Sequence, residues 1–301
     1  MRYKFVSLAS VAACCALIAS CGGDDEATPT PTPTATPTPT PSPTTINFNF
    51  SNAFTANSTG TAFSYAYFTP TGGAEVWSDG ARRNGGSTIT YAISPESASF
   101  VWPDSATLTS FTAADLLNAS ASLRTYRKGV DTLAMERPFQ HVLRVNYETT
   151  VPYTRETVAG QLRSLRYALF YNTVTATADF TTNLSYTGTA QVAGGKPGTA
   201  VAGPFSSPAA TVTVASSDKK LTGTISIVET VAGAPVVRAS LPLTATVATN
   251  ATFSGTIDDT ANGFKGTFVG TLAGPAREEV LLIFNVANTD GREFIGSYIG
   301  D

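Results

Sequence analysis

Histidine occurs once in this chain of 301 residues, and the three cysteines, Cys14, Cys15 and Cys21, all fall within its first 21 positions. Everything after Cys21 therefore lacks a thiol and can form neither a disulfide nor a thiolate metal site. The lone histidine, His141, stands in Pro138-Phe-Gln-His-Val-Leu143 beside an apolar run, the setting of a structural or surface imidazole. One histidine and no free thiol give no supporting context for a Ser-His-Asp or Cys-His arrangement. No catalytic residue, metal ligand set or cofactor site is expected, and the chain reads as a non-enzyme. Charge is scarce too: Asp, Glu, Lys and Arg make up 14% of the sequence, with 19 basic against 22 acidic residues. That balance offers no basic surface for nucleic acid, whose binding draws on phosphate neutralisation.

What is present begins at the N-terminus. Arg2 and Lys4 precede an uncharged, mostly apolar run from Phe5 to Ser20, which closes in Ile18-Ala-Ser. A basic start, an apolar middle and small residues at the cut mark a secretory signal peptide over 1–20. The run is short of the ~20 residues that span a bilayer as a helix. Ile18-Ala-Ser-Cys21 resembles the lipobox of bacterial lipoproteins. The resemblance implies cleavage before Cys21, lipidation of its sulfur and new amino group, and placement in the bacterial outer membrane or at the cell surface. Loss of Arg2 and Lys4 with the signal leaves a net charge of about −5. No polybasic second membrane signal remains, and anchoring rests on acyl chains at about 0.8 kcal/mol per buried methylene.

Residues 21–45 form a tether. Ala27–Thr45 reads ATPTPTPTATPTPTPSPTT and holds seven of the 18 prolines. Alternating proline removes backbone donors and fixes φ, which excludes helix and sheet and favours polyproline II. At ~3.1 Å per residue such a stalk reaches roughly 60 Å. The folded part starts near Ile46.

The remaining residues read as all-β. Period-two alternation predicts strands near 163–172, 183–192, 209–216, 221–229, 235–247, 250–258, 263–272, 279–287 and 292–299. Turn signals separate them at Gly194-Gly195, Ser217-Asp218, Asn262-Gly263, Gly274-Pro275 and Asp290-Gly291. Across these strands an apolar residue is followed two places on by glycine: Tyr186/Gly188, Leu221/Gly223, Phe253/Gly255, Phe264/Gly266, Phe268/Gly270 and Phe294/Gly296. The spacing puts ring and glycine on one face of a strand. Interior glycine is costly unless curvature or a neighbouring ring needs the room. The pattern predicts a small antiparallel barrel over 161–301, with Phe264, Phe268 and Phe294 inside, and residues from about 162 onward folding alone. Residues 46–160 are patterned less clearly and predict a smaller handle-like β-sheet with longer loops, packed on the barrel. Thr112-Ala-Ala-Asp115 has the spacing of a capping box opening one short helix.

Gly255-Thr-Ile-Asp…Gly263-Phe-Lys-Gly-Thr-Phe-Val-Gly270, followed by Gly274-Pro-Ala-Arg-Glu278, resembles the end of the transferrin-binding protein B-like surface lipoproteins. Ser185-Tyr-Thr-Gly-Thr-Ala190 and the run from Ala210 to Gly223 resemble upstream strands of the same family. The resemblance covers about 180–301 and implies an eight-stranded barrel preceded by a handle sheet. One departure is Glu279–Phe284, EVLLIF, where the family has a glycine-rich strand start. The chain also holds one barrel's worth of residues, not two lobes.

The expected function is a binding module, a surface lipoprotein holding a protein or solute ligand on its loops. Acquisition of an iron or haem source is what the resemblance implies. The alternative is a structural envelope lipoprotein without a soluble ligand. No ligand-binding residue is legible. Arg82-Arg83 and Arg124–Lys128 are the only basic clusters, read as loop charge or as contacts for an acidic partner. Arg277-Glu278-Glu279 reads as a solvated turn cluster, and Asp258-Asp259 as a hairpin turn rather than a calcium loop, because the terminal Glu is missing.

Overall fold

The N-terminal half alternates along short β segments whose two faces find different partners. The computed structural model of the protein describes residues 45–103, 109–200 and 203–301. The signal peptide, Cys21 and the tether to position 44 lie outside the described residues. Eleven strands come first: β1 Phe54–Thr59, β2 Ala62–Pro70, β3 Val76–Arg83, β4 Gly86–Ile93, β5 Glu96–Val101, β6 Thr109–Thr112, β7 Leu116–Ala119, β8 Leu123–Lys128, β9 Asp131–Glu136, β10 Val142–Arg155 and β11 Val158–Tyr171. They build two antiparallel sheets, β1-β4-β5-β6 and β3-β2-β11-β10-β9-β8-β7. The N-terminal half is therefore larger than the single small sheet expected.

The seven-stranded sheet lies in the middle of the molecule. Successive strand residues point to opposite faces, and both faces here are apolar. Leu143, Val145, Ala168 and Phe170 pack with Phe54, Ile89 and Phe100 of the smaller sheet. Their neighbours Val142, Leu165, Tyr167 and Leu169 pack instead with Leu281, Ile283, Ile295 and Ile299. Phe48 and Phe50 precede β1 without joining a strand and plug the first core. The expected short helix is a single 3₁₀ turn, Ala113–Asp115, where Asp115 accepts from the Thr112 amide at 2.8 Å. β7 begins at the next residue, Leu116, and pulls the backbone back into a ladder.

Nine strands follow: β12 Leu184–Gly195, β13 Phe205–Ser206, β14 Ala210–Val214, β15 Lys220–Val231, β16 Ala234–Thr246, β17 Thr252–Asp259, β18 Phe264–Ala273, β19 Glu279–Ala287 and β20 Glu293–Gly300. Antiparallel ladders join β12 to β14, β14 to β15, β15 to β16, β17 to β18, β18 to β19, β19 to β20 and β20 back to β12. The sheet thus curls round an interior of aliphatic and aromatic side chains, with Phe264, Phe268, Phe284 and Phe294 almost wholly buried. Between β16 and β17 no ladder is formed among the described residues. That seam is bridged instead by the Ser240 amide on Asp259 Oδ2 at 2.7 Å and the Ala248 amide on the Thr252 carbonyl at 2.8 Å.

Three of the six glycines of the ring-glycine pattern, Gly255, Gly270 and Gly296, sit under rings. In the β17–β18 ladder Phe253 is opposite Gly270 and Gly255 opposite Phe268. A Cβ on Gly255 would stand 2.7 Å from the Phe268 ring, and one on Gly270 would stand 2.6 Å from the Phe253 ring. Real Cβ atoms do not approach so closely, so the curl requires glycine at both sites.

One strand changes sides. The segment 163–172, read as the first strand of the barrel half, is β11, paired with β10 and β2 in the seven-stranded sheet. The barrel's first strand is β12. The physical reason is two-sided burial: Leu165, Tyr167 and Leu169 face the barrel while Ala168 and Phe170 face the smaller sheet. Only a middle-layer strand satisfies both rows.

Candidate ligand-binding cleft

The strand ends and short connections where the seven-stranded sheet meets the barrel leave a cavity of about 700 Å³. Thr59, Gly60 and Thr61 supply one wall from the β1–β2 connection, and Arg82 and Asn84 a second from the end of β3. Tyr171 closes the floor at the end of β11, while Thr246, Thr252, Ser254 and Thr271 line the barrel side. Eight of the fourteen lining residues carry a hydroxyl or amide side chain, set into a surface that is otherwise mostly apolar. No carboxylate lines the cleft.

Several of these hydroxyls are already committed to the scaffold. Thr61 Oγ1 donates to the Leu169 carbonyl at 2.7 Å, and Thr271 Oγ1 to that of Leu272 at 2.9 Å. Thr252 Oγ1 donates to Asn250 Oδ1 at 2.7 Å. Arg82 reaches across from sheet to barrel, its Nη2 donating to Thr267 Oγ1 at 3.0 Å. Burial pushes the Arg82 guanidinium below its ordinary pKa and the Tyr171 hydroxyl above its own. An arginine nevertheless stays charged.

The basic clusters are strand residues, not loop charges. Arg82 and Arg83 end β3 at one edge of the seven-stranded sheet, whereas Arg124–Lys128 lie on β8 with four strands between. At ~4.8 Å per strand that is roughly 24 Å, so the two clusters form no common patch. Arg124 is tied down: its Nε donates to Glu96 at 3.1 Å and its guanidinium lies 5.0 Å from the Phe50 ring centre. Arg83 donates to Ser64 Oγ at 3.2 Å.

The Arg277-Glu278-Glu279 cluster also departs from its reading as a solvated turn. Glu279 is buried, and its Oε1 accepts the backbone amides of Gln140 and His141, both at 2.7 Å. Its Oε2 is buried without a hydrogen-bond partner among the described residues. Desolvation raises the Glu279 pKa, with the two amides pulling the other way. His141 is buried as well, its Nδ1 3.3 Å from Asn172 Nδ2 and its Nε2 3.9 Å from Glu278. Arg277 Nη2 donates to the Ala176 and Ala178 carbonyls at 3.0 and 3.1 Å. This is a structural junction that fastens the Pro138–His141 loop to β19. The pair Asp258-Asp259 does form a hairpin turn, in which Asp259 accepts from Asn262 N at 3.2 Å and Nδ2 at 2.8 Å. Among the described residues no group of His, Cys, Asp and Glu is arranged to hold a metal ion.

Tyr171, Asn84 and Ser254 were not legible as site residues. They come from three segments far apart in sequence, Asn84 just past β3, Tyr171 at the end of β11 and Ser254 on the outward row of β17, and only the docking of sheet on barrel brings them together.

No family model and no curated protein matches the chain. Among solved structures it is similar to a mutant of transferrin binding protein B from Haemophilus parasuis Hp5, at 10% identity and a TM-score of 0.42, over 83% of this chain and 61% of that one. It is also similar to isotype 1 transferrin binding protein B from serogroup B Neisseria meningitidis, at 13% identity and a TM-score of 0.43, over 79% of this chain and 43% of that one. The chain thus spans less than two thirds of either. Both are of the kind that the C-terminal motifs resemble. At this identity and score the likeness assigns neither a family nor a ligand to this chain.

Proposed function

We propose that this protein is a non-enzymatic binding module, anchored to the bacterial outer membrane through acylated Cys21, that holds its ligand in the cleft between sheet and barrel. The observation that carries this reading is the cleft itself. Its walls are strand ends fixed by two separate hydrophobic cores, so a concave, hydroxyl-rich surface is preformed rather than assembled on binding. Rigid scaffolds with short polar connections are where binding groups concentrate. Acyl chains, a long tether and a preformed cleft together suit capture of a solute or a protein segment close to the cell surface. Acquisition of an iron or haem source is the specific role that the family resemblance adds to this proposal.

The test uses the full lipidated chain and spent growth medium or host fluid as the ligand source. The binding reading expects a saturable partner whose capture is lost in Ser254→Trp, which fills the cleft from its exposed barrel wall. A structural envelope protein would retain no saturable partner in either form.

A further inference from the structure

We propose that the cleft receives an oxyanion, a single carboxylate, phosphate or sulfate group carried by a ligand, and that Arg82 is the residue that holds it. This inference rests on the binding reading above and adds the chemical class of the ligand.

Arg82 lines the cleft without the carboxylate partner that four other partly buried arginines have. Arg124 pairs with Glu96, Arg144 with Glu136, Arg163 with Glu75 and Arg238 with Glu229, at 2.6–3.1 Å. Arg82 pairs with no carboxylate among the described residues, and only its Nη2 is engaged, by the neutral oxygen of Thr267. A guanidinium carries five N–H donors, so Nε and Nη1 have no acceptor among the described residues and stay open to the water of the cleft. An incoming oxyanion supplies the missing charge and the missing acceptors at once.

The surroundings fit the same ligand. The Tyr171 hydroxyl has no hydrogen-bond partner among the described residues, and Asn84 and Ser254 add neutral donors at the rim. Thr61 and Thr271 point their hydrogens into backbone carbonyls and serve as wall. One cation in an otherwise carboxylate-free cleft, on a chain with more acid than base, selects a lone oxyanion over a polyanion.

Titration calorimetry on the full chain would use inorganic phosphate, sulfate and glucuronate as free probes, with glucose as the neutral counterpart of glucuronate. For a lipid-borne phosphate, the unacylated Cys21→Ser form would be offered vesicles of phosphatidylcholine with and without phosphatidylglycerol. The expected result is saturable binding of at least one oxyanion, none of glucose, and weakening as salt rises. Arg82→Gln should weaken it about tenfold or more, the loss expected of a charge-assisted hydrogen bond. Arg82→Lys should retain part of it, and Tyr171→Phe should weaken it without touching Arg82. Binding confined to phosphatidylglycerol vesicles and dependent on Arg82 would name a headgroup as the source. Absence of any oxyanion binding, or binding unchanged in Arg82→Gln, overturns the inference. A neutral ligand blocked by Ser254→Trp but indifferent to Arg82→Gln overturns it too, yet leaves the binding reading standing; that reading fails only if no saturable ligand of any kind is found.

Discussion

The Phe268 ring lies over Gly255 across the β17–β18 ladder, and 2.7 Å would separate that ring from any Cβ placed on the glycine. Phe253 repeats the arrangement over Gly270 in the opposite direction. Each ring fills the hollow of a residue that has no side chain, so the barrel bends where its aromatic core is densest. Phe268→Ala should cost about 3–5 kcal/mol. In a folded body of this size that lowers the thermal midpoint by about 6–20 °C. An unchanged midpoint, measured by calorimetry, would refute the inward placement of this ring.

Leu281 and Ile283 are buried on the outer wall of the barrel, where the seven-stranded sheet covers them. Leu281→Ala should cost about 2–5 kcal/mol, although the residue points away from the barrel interior. Limited proteolysis of the double variant Leu281→Asp, Ile283→Asp should open the 172–183 connection between β11 and β12. Resistance equal to that of the natural protein would mean that sheet and barrel are not held together by this row.

Glu279 gives a pH signature. Its folded pKa is raised by burial, so the folded protein binds its proton more tightly than the unfolded chain does. The stability this contributes is fully present below the unfolded carboxylate pKa and is lost as pH rises through the folded value. Glu279→Gln keeps an acceptor for the Gln140 and His141 amides but removes the titration. Relative to the natural protein, the variant should therefore gain stability as pH rises above the ordinary glutamate value of about 4.3. Denaturant midpoints across that range check the sign, and a difference that stays flat or reverses would exclude the burial argument.

Acylation makes a fourth expectation. Mass spectrometry of the exported protein should find Cys21 as a lipid-bearing first residue, and Cys21→Ser should abolish incorporation of labelled fatty acid. A mature N-terminus elsewhere would refute the lipobox reading.

The strand plan of the C-terminal half was legible because several barrel strands, β17 among them, have one wet face and one apolar face, and alternation reports that asymmetry directly. The reading near 279–287 matches β19 residue for residue. What alternation does not report is the partner of a second apolar face. Glu279–Phe284 looked like a departure from family pattern, yet EVLLIF is the signature of a strand buried on both sides, its even positions inside the barrel and Leu281 and Ile283 against the sheet. The same two-sided burial in β11 moved that strand out of the barrel. The cleft was illegible for a different reason: Arg82 could be seen as a charge, but its lack of a counter-ion is a property of its neighbours in space.

Asn172 gives the start of the described fold at Ile46 a mechanical character. Ile46, the first residue after the Pro/Thr stretch, is clasped at both its amide and its carbonyl by the Asn172 side chain, at 2.6 and 2.9 Å. The backbone of Asn172 in turn receives Gly274 N–H from the barrel at 2.8 Å and gives its own N–H to His141 of the sheet at 3.0 Å. A pull on the chain from the N-terminal side of Ile46 therefore reaches both halves at one residue. The load is shared between them instead of peeling a single edge strand away.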